Sequence, residues 1–366
     1  DNIALEIERL LYQGECNCAY WHGSFGGLYL SHLRHALYSA LIKGEKILEE
    51  ALNENQKWLN ITIADYDRDL SDEITLSNPE LTVIVDCNYG GSLLNLDYKP
   101  EAFALSNTIR RRKEFYHKKI ETIASSNDGD QPRSIHDFVQ AKEEGLEDFL
   151  QYDKYLRRSF LEYLFVSDID FETFNKGEYE NIEGITDAPY NITKLKNKDG
   201  STIPLINANF RLPVEPQINL DISKEFVMND QDPSLEVRYQ LSSDKLSNRE
   251  FFFLTELNFN LLTDQSDDRY WSAGNIENQR PLLRETLIED DVTKVGLVDD
   301  YFKFEIIVSS STPITVWRYP IYTISQSEGG FERTYQGSTL MLKRKIRFLQ
   351  DEKVSFSIKV EINKRD

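Results

Sequence analysis

Residues 16–27 gather the side chains of this chain best suited to holding a ligand: Cys16-Asn17-Cys18-Ala19-Tyr20-Trp21-His22-Gly23-Ser24-Phe25-Gly26-Gly27. Indole and phenol rings offer flat apolar faces to the C–H surface of a sugar. Trp N–H, Tyr O–H and imidazole can hydrogen-bond its hydroxyls. The glycines let the backbone turn sharply and approach an occupant closely. Tyr20, Trp21 and His22 read equally as packing at a helix–loop–helix corner. Cys16, Cys18 and His22 lack a fourth ligand and the spacing of a zinc finger or ribbon, so no metal is expected there.

A second constellation lies near the C-terminus. Trp317-Arg318-Tyr319-Pro320 is followed by Ser325-Gln326-Ser327-Glu328-Gly329-Gly330-Phe331-Glu332-Arg333-Thr334-Tyr335-Gln336-Gly337-Ser338. Arg318, Glu328, Glu332 and Arg333 could all bond hydroxyls. The competing reading is a hairpin turning at the glycine pair, with surface ion pairs between its glutamates and Arg333. Asp264, Asp267 and Asp268 cluster without the glycine and terminal glutamate of a calcium loop, and read as solvated turn residues. No phosphate-binding loop, dinucleotide fingerprint or nucleophile elbow is present, so no cofactor is expected.

The elements that must position these residues change character along the chain. Residues 2–13 and 31–52 have helical periodicity, the second with a stripe of Leu33, Leu37, Leu41, Leu48 and Leu52, and the aromatic loop joins them into a hairpin. From Trp58 the period becomes two. Ile61 and Ile63, then Phe253, Leu257 and Phe259, then Phe304, Ile306 and Val308, and finally Phe356, Ile358 and Val360 alternate with more polar residues. That pattern suits antiparallel sheets stacked in a sandwich. Apolar spacing predicts a helical insertion near 134–165. The organisation expected is a helical region over 1–55 bordering a ligand cleft, then a large β domain over 56–366.

Composition narrows the partners. The net charge of −20 on 366 residues argues against nucleic acid and anionic membranes, and a neutral polyhydroxylated ligand needs no charge match. Three cysteines, an odd number, do not suggest a disulfide framework, which points to a reducing, cytoplasmic compartment. No apolar run is long enough to span a bilayer.

Residues 16–34, ending Leu28-Tyr29-Leu30-Ser31-His32-Leu33-Arg34, resemble the last conserved region of glycoside hydrolase family 57. The likeness continues through residues 59–98, Tyr152-Asp153, Gly296-Leu297-Val298-Asp299 and 325–338. It is nearest to the 4-α-glucanotransferases and α-amylases of that family. The resemblance implies a mainly β chain, a galactose-mutarotase-like antiparallel β-sandwich preceded by a short helical region. It also implies α-1,4-glucan or malto-oligosaccharide as ligand. The family's two catalytic carboxylates belong to an N-terminal barrel, so none is expected among these residues, and the expected partner is that barrel; homo-oligomer formation is left open. A stand-alone carbohydrate-binding or scaffold module without catalysis is the alternative. Trp21 matches a family tryptophan that stacks on glucosyl units, and Asn17, Tyr20 and His22 match its neighbours. Cys18 stands where those enzymes usually carry aspartate, and a thiol accepts hydrogen bonds far more weakly than a carboxylate.

Overall fold

A computed structural model describes residues 2–22, 26–54, 56–120, 145–196, 202–214, 217–245, 247–276, 279–327, 330–349 and 353–365. Helix α1 (Asn2–Gly14) and helix α2 (Ser31–Leu52) form the expected hairpin. Gly14 lies so close to Leu41 that a β-carbon there would fall 2.3 Å from Leu41 Cδ2, which fixes how closely the helices approach. The leucine stripe of α2 does not carry the burial. Leu48 and Leu52 are exposed, while Ser31, Arg34, Ala40, Ile42 and Gly44 are buried. The helix meets the β domain through Ile42 against Ala102 and Ala104 together with polar residues such as Ser31 and Arg34, so its leucine spacing alone misidentifies the contact face.

Most of the remaining described residues form antiparallel sheet, apart from a short helix at Phe171–Asn175 and irregular connections. Strands β1 (Asn60–Ala64), β2 (Glu73–Ser77), β3 (Leu81–Asp86), β4 (Ser92–Tyr98) and β5 (Phe103–Ala104) pair in that order as a five-stranded meander. An eleven-stranded sheet holds the other strands: β6 (Leu161–Phe165), β7 (Asn191–Lys196), β8 (Thr202–Leu212), β9 (Ile218–Val227), β10 (Ser234–Ser243), β11 (Ser247–Phe259), β12 (Arg269–Ser272), β13 (Leu287–Asp299), β14 (Phe304–Ser327), β15 (Gly330–Phe348) and β16 (Val354–Lys364). Strand β14 changes partner along its length: residues 304–310 pair with β16, and residues 315–327 pair with β15. Alternate residues of these strands point inward, as in β9 and β16, and one contiguous core runs from Ile74, Val83 and Leu96 of the meander to Phe253, Leu257, Ile306 and Ile358.

The expected helical insertion is corrected where it can be seen. Residues 121–144 lie outside the described residues. Residues 146–149 are a single 3-10 turn, residues 150–160 are irregular, and residues 161–165 are strand β6, paired with β11. The backbone of this segment bonds outward instead of along a helix: Asp153 N donates to Arg111 O at 2.9 Å and Phe160 N to Glu256 O at 2.7 Å. Asp153 accepts from Arg111 and Arg157, and Arg157 reaches Glu256 at 2.9 Å, so buried charge pairs override helical spacing. The Arg157 and Arg111 guanidiniums outweigh the effect of burial and hold the Asp153 carboxyl far below its usual range.

Candidate functional site

The loop between α1 and α2 is held by its backbone. Residues Asn17–Ala19 and Gly27–Tyr29 each make a 3-10 turn, and Leu28 N donates to Trp21 O at 2.9 Å. Gly27 has φ of +47°, and a β-carbon there would lie 2.3 Å from Trp21 O. Only glycine permits both the conformation and the closeness. Tyr20 anchors its tip by donating from Oη to Gly14 O at 2.6 Å, the end of α1.

Against this fixed frame the two large rings are open. Tyr20 is 61% exposed and Trp21 57% exposed, whereas Trp58, Trp271 and Trp317 are buried. The aromatic corner is therefore not sealed core. Asn17 and Cys18 are exposed beside it, and Cys16 and Cys18 are free thiols. Residues 23–25 of the motif lie outside the described residues. His22 turns the other way and packs edge-on to Tyr29 at 4.9 Å and Tyr116 at 5.4 Å.

Behind the rings stands a polar and aromatic support. Tyr29 Oη donates to Glu114 Oε1 at 2.5 Å, and Arg112 Nε donates to the same oxygen at 2.8 Å. Burial and the bond to Glu114 push the Tyr29 hydroxyl up to about 12. Burial alone would raise the Glu114 carboxyl, but the Tyr29 bond and Arg112 hold it below its ordinary value, so the carboxylate stays charged at neutral pH.

Arg34, buried at the start of α2, ties the loop to the sandwich. It donates to Leu28 O at 2.5 Å, Asn107 Oδ1 at 2.9 Å and Gln336 Oε1 at 2.9 Å. Gln336 in turn donates to Tyr29 O at 2.8 Å and Thr323 Oγ1 at 2.9 Å. Burial lowers Arg34 to about 10, which still leaves it protonated at neutral pH.

The two sequence constellations thus meet, but not through the charged residues expected of them. Gln336 and Phe331, the latter stacked on Tyr116 at 5.9 Å, carry the contact. Arg318 is instead fully buried, paired with Glu289 at 2.5 Å and donating to Ser272 O and Ala273 O at 2.9 Å, so it offers no face to a ligand. Arg333 lies over the rings of Phe149 at 4.4 Å and Tyr322 at 4.7 Å and lines a cavity of about 610 Å³. Glu332 is half-buried opposite Ser325 in the β14–β15 ladder, and Glu328 lies outside the described residues. Asp264 is no solvated turn residue: it is 3% exposed and accepts from Tyr322 Oη. Arg112, Glu114 and Tyr116 lie outside the quoted motifs, and Arg34 and Gln336 lie inside them without being singled out, because their importance arises from contacts such as the bond across the 302 residues between Arg34 and Gln336.

Comparison with known proteins places this arrangement. Residues 65–358 match the family described as Alpha-amylase/4-alpha-glucanotransferase, C-terminal, and residues 1–48 match its middle domain. The chain is 34% identical over 339 residues to Alpha-amylase 1 of Dictyoglomus thermophilum, covering 90% of this chain and 45% of that protein. It is 24% identical over 332 residues to the 4-alpha-glucanotransferase of Thermococcus kodakarensis, covering 91% of this chain and 44% of that protein. The crystal structure of 4-alpha-glucanotransferase from Thermococcus litoralis superimposes with a TM-score of 0.73 at 21% identity, over 97% of this chain and 46% of that one, a likeness of fold. The chain spans somewhat under half the length of the relatives it matches. With its helical hairpin, pinned aromatic loop and β-sandwich matched in order, the chain belongs to the alpha-amylase/4-alpha-glucanotransferase family, of which it carries the middle and C-terminal regions.

Proposed function

We propose that this chain forms one wall of an α-1,4-glucan cleft, and that the carboxylates that cleave or transfer the glucan belong to a separate catalytic barrel domain. The observation that carries this is the exposure of Tyr20 and Trp21, 61% and 57%, on a loop otherwise locked by short turns and buried polar bonds. Large aromatic rings have few rotatable bonds, and on a fixed backbone they lose little conformational entropy when a sugar ring stacks on them. Asn17 supplies amide donors and an acceptor beside them. His22 braces the loop from behind through Tyr29 and Tyr116.

Exposed apolar side chains on α1 support the same reading. Ile3, Leu5, Leu11 and Tyr12 are 53%, 63%, 46% and 61% exposed, large apolar side chains left uncovered at several places around the helix that leads into the loop. That helix is the surface on which the barrel would rest, with the glucan bound between them. The substrate class is supported by the relatives, an alpha-amylase and a 4-alpha-glucanotransferase.

Calorimetry with linear malto-oligosaccharides, on this chain and on Trp21→Ala, tests the proposal. The reading expects binding of millimolar order, about −4 kcal/mol, removed by the substitution. Absence of binding at tens of millimolar sugar, or binding unchanged in Trp21→Ala, contradicts it.

A further inference from the structure

The turn between β1 and β2 reads Asp65-Tyr66-Asp67-Arg68-Asp69-Leu70-Ser71-Asp72-Glu73, Glu73 being the first residue of β2. Ligand oxygens of Asp65, Asp67 and Glu73 all lie within 4.8 Å of one another. Clustered surface acids are common and prove nothing alone. The decisive feature is Glu73. It is 1% exposed; its Oε2 accepts from Tyr66 N at 2.7 Å and Asp67 N at 3.4 Å, yet its Oε1 is buried with no partner. Asp65 repeats the pattern: Oδ2 accepts from Leu70 N at 3.3 Å, while Oδ1 is shielded and unpartnered. No ion pair among the described residues neutralises any of the three. Buried carboxylate oxygens without a donor are costly, and here two of the three clustered acids each carry one.

We propose that this turn is a calcium site, in which Asp65, Asp67 and Glu73 bind one Ca²⁺ with water completing its shell. The donor set is all oxygen, without the nitrogen or sulfur that favours zinc or copper. Ca²⁺ takes six to eight oxygens at about 2.3–2.6 Å in a flexible shell, so oxygens of three carboxylates this close, with water, can serve it. Mg²⁺ demands near-octahedral geometry at about 2.1 Å and keeps most of its water, so a cradle of three protein carboxylates suits it less. The turn departs from the common calcium loop, which has glycine at its sixth position and a glutamate at its twelfth. Leu70 takes the sixth place with φ of +77°, and Glu73, delivered early by β2, takes over the part of the late glutamate. Asp69 is occupied elsewhere, accepting from Ser71 N at 2.8 Å and Asn88 Nδ2 at 3.2 Å, and so ties the turn to the β3–β4 connection. A bound ion would clamp an edge hairpin whose turn is otherwise a run of like charges.

Terbium(III) luminescence excited through tyrosine gives a direct readout on the whole chain, because Tyr66 lies inside the turn. The proposal expects a saturable signal displaced by Ca²⁺ and, at higher concentration, by Mg²⁺. Asp67 is exposed, so Asp67→Asn keeps the fold; it should weaken Ca²⁺ competition by about tenfold or more. Ca²⁺ should also raise the melting temperature of the wild-type chain above its value in chelator, and this rise should be lost in Asp67→Asn. Asp267→Asn, an exposed acid in another loop, should behave as wild type. Should Glu73→Gln not fold, Asp67→Asn still decides. Terbium signal and thermal shift equal in Asp67→Asn and wild type, or equally reduced by Asp267→Asn, would show diffuse binding to an acidic surface and overturn the site.

Discussion

Trp21 separates recognition from stability. Its indole is 57% exposed, and its place in the loop is held by its backbone carbonyl through Leu28 N. Trp21→Ala should therefore change unfolding free energy by no more than about 0.5 kcal/mol in urea titrations, while removing sugar binding. Gly27→Ala should do the reverse. With φ of +47° and Trp21 O where its β-carbon would go, it should cost about 1–3 kcal/mol and disorder the loop, read as lower melting temperature. Cys18 offers a gain-of-function test. Restoring a carboxylate with Cys18→Asp adds a charged acceptor at an exposed position, and should tighten malto-oligosaccharide binding about tenfold, the effect of one charge-assisted hydrogen bond.

At the scale of elements, α2 is the strut that holds the loop against the sandwich, and much of its docking is polar. Arg34→Met leaves Gln336 Oε1, Asn107 Oδ1 and Leu28 O without their buried donor, so it should destabilise by about 3 kcal/mol and loosen residues 16–30 in hydrogen exchange. Further along, His35 packs at 4.6 Å from Phe103 and 5.4 Å from Phe302, and its Nδ1 has no partner. Burial, assisted by Lys43, pushes its pKa down from 6.5 to about 4. The unfolded chain then binds a proton that the folded chain refuses, so stability falls as pH drops from about 6.5 to 4. His35→Phe should flatten that slope in thermal melts across this range. The two helices and the alternating strands of the C-terminal half are legible in the sequence because their periods are long and regular. The buried face of α2 is not, since Arg34 and Ser31 become interior only through partners on other elements.

For the molecule as a whole, the same division holds. Strong alternation around Phe253, Phe304 and Phe356 announces the sandwich, and the aromatic loop announces itself by composition. Strand β6 stays hidden inside an apparently helical stretch, because the Arg111–Asp153–Arg157–Glu256 network and pairing with β11 decide its form. Arg318 looks like a ligand contact by residue type, yet the packing of β13 against β14 encloses it with Glu289. What the sandwich leaves uncovered is the aromatic corner of Tyr20 and Trp21, next to a helix that also exposes apolar side chains.

Because the other three tryptophans are buried, collisional quenching by acrylamide reports on Trp21 almost alone. Titrating a linear malto-oligosaccharide into the chain should shield the indole, reducing the accessible fraction of fluorescence in step with calorimetric binding. Quenching that stays the same at saturating sugar would mean that the Trp21 ring is not a glucan platform, and would contradict the account.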